Sequence, residues 1–251
     1  MKIGIFGYPG DSLARVKAMT DALKARGAQS IVCLGGLISG GVENDEDADP
    51  PATVLRWLRS SEIRVLGNDT DRQVAGWRLQ ALENTTGYIR PRVRKFLSAV
   101  TREEAQWIFS LRSNLPMENM LFCADNLTID ALFPVPLSSF NAGKLFSVME
   151  QKAAFFPSAN GPTLLVRKQE DGVIEGGKLG DIEERLDSPR QAMIVGGVVG
   201  YPPLNADVSW GALVDSDALR VALICLNAKD YQSVPEQGRL LIQRAESHWR
   251  E

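Results

Sequence analysis

The chain has 251 residues, enough for one large α/β domain or two small ones and for a sizeable core. Its 28 basic and 31 acidic residues give a formal charge of -3 and a pI near 5.4, so there is no electrostatic reason to expect nucleic acid or an anionic membrane as a partner. The only apolar run near the start, Ile3 to Phe6, is too short for a signal h-region or a membrane span, and a cytoplasmic protein is expected.

Cys33, Cys123 and Cys225 each sit inside an apolar run, where a strand would bury them as small hydrophobes, so a disulfide framework is not expected. The single histidine, His248, leaves almost no room for histidine-based metal sites or for Ser-His and Cys-His nucleophile pairs.

In chain order, Lys2 to Phe6 reads as a buried strand, followed by a helix with apolar positions Leu13, Val16, Met19 and Leu23, capped by Asp11 or Ser12 and stopped by Gly27. Ser30 to Leu34 is a second buried strand, closing on Gly35-Gly36. A helix over about Ala52 to Arg59 leads to a third strand, Ile63 to Leu66, which stops at Gly67-Asn68-Asp69. Strand, helix, strand is the opening of a doubly wound sheet, and three strands ending in glycine-bearing turns mark the carboxyl edge where such folds bind ligands. Helices are expected at about Arg72 to Leu82, at Pro91 to Ala99 and from Thr101, whose spacing to Glu104 is that of a capping box. Met120 to Ala124 is a further strand, then a helix near Ala142 to Glu150, then strands at Ala153 to Phe156, Thr163 to Arg167, Ala192 to Val199, Val208 to Val214 and Leu219 to Leu226. An amphipathic helix over about Pro235 to Trp249 closes the chain. No repeat or low-complexity linker interrupts this series, which is taken as one domain, 1–251, of two face-to-face sheets with helices outside.

Six turns follow in a fixed order: Gly7-Tyr8-Pro9-Gly10-Asp11, Leu34-Gly35-Gly36, Gly67-Asn68-Asp69-Thr70, Ala124-Asp125, Pro157-Ser158-Ala159-Asn160-Gly161-Pro162 and Val195-Gly196-Gly197-Val198-Val199-Gly200-Tyr201-Pro202. Leu132-Phe133-Pro134 and the strand Ser209-Trp210 through Asp215 fall in the same register. Together these resemble the calcineurin-like metallophosphoesterases, in particular the small single-domain prokaryotic phosphodiesterases. The corresponding turns of that family read Asp-x-His-Gly-Asn, Leu-Gly-Asp, Gly-Asn-His-Asp, His-Gly, Gly-His-Thr-His-x-Pro and Asn-Pro-Gly-Ser-Val-Gly-x-Pro. The resemblance spans nearly the whole chain and implies a four-layer α/β/β/α sandwich with two mixed β-sheets.

The same resemblance implies a mechanism in which two divalent metals, such as Mn, Fe or Zn, clamp a phosphate ester and activate a bridging water. The seven metal-ligand positions correspond here to Gly7, Pro9, Gly36, Asn68, Ala124, Ser158 and Asn160, and only Asn68 keeps the family's letter. Asp69 stands where the family has its proton-donating histidine, and an ionised carboxylate there repels a phosphate. Two dications about 3.5–4 Å apart repel by roughly 15–20 kcal/mol at an effective dielectric near 20, and this must be offset by anionic ligands. With Gly36 in place of the bridging carboxylate and Gly7 in place of the terminal one, no dinuclear site, no cofactor and no phosphoesterase activity of that type are expected.

Other readings of the same residues are weaker. Asp11, Asn68, Asp69, Asp125 and Asn160, with Asp71, could offer oxygen ligands to one hard cation or to another small ligand, but caps and turns account for each of them. Gly7, Gly10, Gly35, Gly36, Gly40 and Gly41 could expose backbone N–H groups to an anion, although the Lys-Ser/Thr of a P-loop is missing. The acidic run Glu43 to Asp49 lacks EF-hand spacing and reads as a solvated loop. Trp77, Trp107 and Trp210 read as core, and Arg90, Arg92, Arg94 and Lys95 as a solvated helix start.

The leading expectation is therefore a pseudoenzyme, a catalytically inactive metallophosphoesterase-like protein that binds a protein partner or a small ligand. The alternative is a divergent hydrolase with a mononuclear or metal-free site. A third is a structural subunit of a homo-oligomer, revealed by exposed apolar surface.

Overall fold

The computed structural model describes residues 1–38, 49–80, 91–125, 142–158, 165–168, 174–177, 183–185, 190–196 and 208–227. The expected closing helix, His248, the turn at 159–164 and most of the acidic run lie outside them.

The first half of the chain alternates as expected: β1 (Lys2–Phe6), α1 (Leu13–Ala25), β2 (Ser30–Cys33), α2 (Thr53–Ser60), β3 (Arg64–Val65) and α3 (Asp69–Leu79). Then follow α4 (Pro91–Ala99), α5 (Arg102–Ser110) and the hairpin of β4 (Asn114–Met117) with β5 (Met120–Cys123). After α6 (Ala142–Val148) come β6 (Ala153–Ser158), β7 (Leu165–Lys168), β8 (Ile174–Gly177), β9 (Glu183–Arg185), β10 (Arg190–Gly196), β11 (Val208–Asp215) and β12 (Arg220–Asn227).

These strands form two mixed six-stranded sheets, ordered β3-β2-β1-β11-β12-β9 and β4-β5-β6-β10-β7-β8. In the first, β1, β2 and β3 are parallel and β11 runs back along β1, with Ile5 opposite Ala212. In the second, β6 is parallel to both β5 and β10, with Phe122 opposite Phe155 and Ser158 opposite Gly196.

Side-chain alternation sets the layers. Ile3 and Ile5 of β1, Val32 and Leu34 of the β2 segment and Trp210, Ala212 and Val214 of β11 share one buried cluster with Met120, Phe122, Ala153 and Phe155 of the second sheet. The other face of the first sheet, with Phe6, Ile31, Cys33, Ile224 and Leu226, packs on Val16, Met19 and Leu23 of α1, Leu55 and Leu58 of α2, and Ile108 of α5. On the far side of the second sheet, α6 lies against β10 and buries Leu145 and Phe146. The order is α/β/β/α, as the resemblance implies. Phe122 and Phe155 stack at the centre, ring centroids 5.5 Å apart and 16° from parallel.

Local signals account for most boundaries. Ser12, rather than Asp11, caps α1, its Oγ accepting from the N–H of Arg15 at 3.4 Å. Helix α3 begins three residues before the expected Arg72, because Asn68 and Asp71 form a reciprocal capping box there. The third strand is cut to Arg64–Val65. Three edge or near-edge strands, β4, β8 and β9, carry no strong strand signal: Pro116 interrupts β4, and glycines end β8.

Thr101 and Glu104 form the expected capping box of α5, and Glu104 also accepts from Arg56 Nε at 2.7 Å, joining α2 to α5. Burial pushes the Glu104 carboxyl upward, but the Arg56 guanidinium and the Thr101 N–H and hydroxyl outweigh it and hold the group below its ordinary range. A depressed carboxylate stabilises the fold above the unfolded-state value and loses that contribution as pH falls through the folded value. Glu104→Gln is therefore expected to cost about 1 kcal/mol at pH 7, the half-exposed Arg56 limiting the loss, with the difference from wild type closing below about pH 4 in urea titrations.

Candidate functional site

The carboxyl ends of β1, β2, β3 and β5 meet at one edge, where the chain leaves each strand in a turn. These turns are stitched by the backbone: the N–H of Leu34 donates to Phe6 O at 2.7 Å, that of Tyr8 to Gly35 O at 2.9 Å, and that of Leu66 to Cys33 O at 2.9 Å. The N–H of Ala124 bonds Ser113 O at 2.7 Å, and that of Gly67 bonds Arg112 O at 3.0 Å.

At the first turn Gly7 is buried, and a Cβ placed on it would lie 2.5 Å from Cβ of Pro157 at the end of β6. The proline ring holds the space that any side chain at position 7 needs. Tyr8 follows with φ of 44°, left-handed and unusual for a tyrosine. Its ring turns onto Gly36: a Cβ there would meet Tyr8 Cδ1 at 2.6 Å, Cε1 at 2.8 Å and Cγ at 2.9 Å. Gly36 itself has φ of +76°, which a side chain rarely adopts. Sequence reasoning passed over Tyr8, whose only signal was a large aromatic inside a glycine-bearing turn, between Gly7 and Gly10. Pro9 and Gly10 are buried, Asp11 is half-buried, and the carbonyl of Asp11 accepts from Asp49 N–H at 2.8 Å. Asp49 in turn accepts from Leu13 N–H at 2.6 Å, so the one described residue of the acidic run caps α1.

At the third turn Asn68 is buried, and its Oδ1 accepts from the Asp71 N–H at 2.7 Å. Asp71 has zero exposure and accepts from the N–H groups of Gly36 at 3.0 Å, Ile38 at 3.0 Å and Asn68 at 3.1 Å. Burial pushes its carboxyl upward, while the N–H groups of Asn68, Ile38, Leu37 and Gly36 pull it down; the net direction is upward. The amide that Gly36 of the second turn would offer to an anion is thus taken by the chain's own aspartate. The spacing Asn68-x-x-Asp71 was the signal for this anchor, read at sequence level only as loop donors.

Asp69 is exposed, and its N–H donates to Asp125 Oδ2 at 2.8 Å. Arg72 Nη2 bonds Asp69 Oδ1 and lies 3.5 Å from Asp125 Oδ2. Asp125, half-buried, is pushed up to about 6 by desolvation and by the charges of Asp69 and Asp71, against the Asp69 N–H and Arg72. Burial, with Asp71 and Asp125 nearby, also raises the Tyr8 phenol. Asp69, Asp71, Asp125 and Asn68 are therefore brought together. Asp11 sits on the first turn, Ala124 lies buried beneath Gly35, the backbone of Ser158 ends β6, and Asn160 lies outside the described residues.

A dinuclear metal centre does not fit these residues. Gly7, Pro9, Gly36 and Ala124 bring no donor side chain, and the Asn68 oxygen is engaged as a helix cap. Among the described residues, no group of three or more His, Cys, Asp or Glu is placed to hold a metal ion. Trp210 lies in the inter-sheet core as expected, Trp77 and Trp107 pack partly buried against the helix layer, and Arg94 and Lys95 are exposed. No described helix is long and apolar enough to cross a membrane.

No protein-family model and no curated protein matches the sequence. Solved structures do match in shape. A metallophosphoesterase from Sphaerobacter thermophilus superposes with a TM-score of 0.67 at 15% identity, covering 98% of this chain and 95% of that one. A hypothetical protein from Pyrococcus horikoshii OT3 superposes at 0.58 with 12% identity, covering 98% and 93%. At these identities the likeness is one of fold, and the chain has the metallophosphoesterase fold.

Two outcomes test the geometry. Gly36→Ala is expected to destabilise by about 1–3 kcal/mol through strained backbone and contact with the Tyr8 ring. Adding Tyr8→Ala should remove the contact part, so urea titrations of the cycle should give a favourable coupling of about 0.5–3 kcal/mol. For Asp125, a raised carboxyl contributes stability below the unfolded value of about 4 and loses it as pH rises through about 6. Asp125→Asn should flatten that slope and leave the protein at least as stable as wild type at pH 7.

Proposed function

We propose that this chain is a catalytically inactive protein with the metallophosphoesterase fold, a single domain whose carboxyl-edge turns serve to bind a protein partner or a small ligand. The observation that carries the reading is the Tyr8 ring, whose atoms stand 2.6–2.9 Å from where the first side-chain carbon of residue 36 would be. In the resemblance that position bears the carboxylate bridging two metals. Here it is filled by an aromatic side chain, and its neighbour at position 7 is closed by Pro157. A vacant pocket could be reloaded by restoring ligands, whereas a packed one resists them. Repulsion between two dications, unrelieved by a bridging carboxylate, acts in the same direction.

Elemental analysis of the purified protein, beside phosphodiester and phosphomonoester assays with added manganese, is the direct test. No stoichiometric transition metal and no turnover are expected; two tightly held metals with turnover would overturn the proposal and favour a rewired hydrolase. As a second arm, Gly7→Asp, Pro9→His and Gly36→Asp introduced together should give an inactive and destabilised protein, because both glycine positions are sterically occupied. Activity in that triple variant would show that the turns are not closed as described.

A further inference from the structure

Among the described residues, Asp71 is a fully buried carboxylate at the carboxyl edge that accepts from backbone N–H groups. It reaches out of the first turn of α3 into the loop after β2 and accepts there from Gly36 and Ile38, while Asn68 N–H closes the ring from its own side. Three donors from two segments 33 to 35 residues away and 3 residues away converge on two oxygens, at 3.0–3.1 Å. The consecutive left-handed residues Gly35 and Gly36 (φ 83° and 76°) help turn the loop amides inward. Asp71 is one half of the α3 capping box, but each segment also has contacts that do not involve the Asp71 carboxylate. Tyr8 N–H bonds Gly35 O, and Leu37 and Ile38 are buried in the helix-side core. Gly67 is fixed by Arg112 O and by close contact with Leu111.

We propose that the loop after β2 and the start of α3 form a preformed anion cradle that Asp71 occupies as a tethered ligand, blocking it to external anions. The class of ligand it takes is a small carboxylate-sized monoanion. Formate supplies the same two oxygens with the same spacing, and cutting Asp71 back to alanine removes one carboxylate group. A structural carboxylate in a cradle formed only around it would leave no site behind. The inference concerns anion binding and is independent of whether the protein is catalytic.

Thermal unfolding of Asp71→Ala is to be followed against sodium formate, with sodium chloride at matched ionic strength as the reference. At formate about ten times its dissociation constant the Tm should rise by about 3–6 °C over chloride, saturably. Wild type and Asp71→Asn, whose cradles are filled by a side chain, should show no such rise. Equal behaviour of Asp71→Ala in the two salts, or an equal rise in wild type, would overturn the proposal. If the alanine variant does not stay folded, its refolding yield from urea in formate against chloride gives the same reading: a higher yield in formate supports the cradle, and equal yields refute it.

Discussion

Burial of the first sheet on both faces is the constraint from which the rest follows. Along β1, Ile3 and Ile5 enter the core shared with the second sheet, and Phe6 enters the core under the helices. The same alternation runs through Val32 and Cys33, and through Ile224 and Cys225. With both faces committed to apolar packing, polar groups are confined to the strand ends, where each unpaired N–H and C=O must find a partner. The turns after β1, β2 and β3 supply those partners to one another, from Tyr8 to Gly35 and from Leu66 to Cys33. Such mutual pairing draws the turns close, and side-chain volume there becomes the scarce quantity.

That scarcity explains the electrostatics of the edge. Arg72 pairs with Asp69 and Asp125 while Asp71 is bonded by backbone N–H groups, so the three carboxylates are accommodated differently. Asp69 stays exposed to solvent; Asp71 surrenders all solvent and takes backbone dipoles instead; Asp125 lies between, and its carboxyl is pushed up to about 6. At Gly7 and Gly36 a proline ring and a tyrosine ring, respectively, occupy the space that a side chain would need. Replacing close-set charges by packed apolar groups of similar volume is often neutral or favourable, because desolvation of the charges no longer has to be repaid.

Most of the fold was legible because strands buried on both faces read as continuous apolar runs and because Ser12 and Thr101 announce their helices, whereas Asn68, read as a turn residue, hid the start of α3. What escaped was of two kinds. Strands β4, β8 and β9 lie at or beside sheet edges, where there is little apolar burial to leave a pattern. The contacts that define the site join residues far apart in the chain: Tyr8 with Gly36, Gly7 with Pro157, Asp69 with Asp125. Local spacing carries no trace of these, and residue types alone made Asp71 and Asp125 look equivalent when one is fully buried and the other is not.

The letters shared with the resemblance sort by physical role. Gly10 and Gly35 have φ of 65° and 83°, which the turn requires and a side chain resists. Gly67 is pressed by Leu111, whose Cβ would lie 2.9 Å from any added Cβ. Asn68 is an N-cap, a position where asparagine is among the favoured residues with no metal present. Each of these has a task in holding the backbone. Gly7, Pro9, Gly36 and Ala124, by contrast, stand where the resemblance has residues whose task is coordination, and none of them brings a donor side chain. Asn68 is therefore not evidence of a surviving metal site, because capping α3 accounts for it in full. A fold can keep its turns at the carboxyl edge without its metal ligands, since the turns answer to backbone geometry and the ligands answer only to the ions.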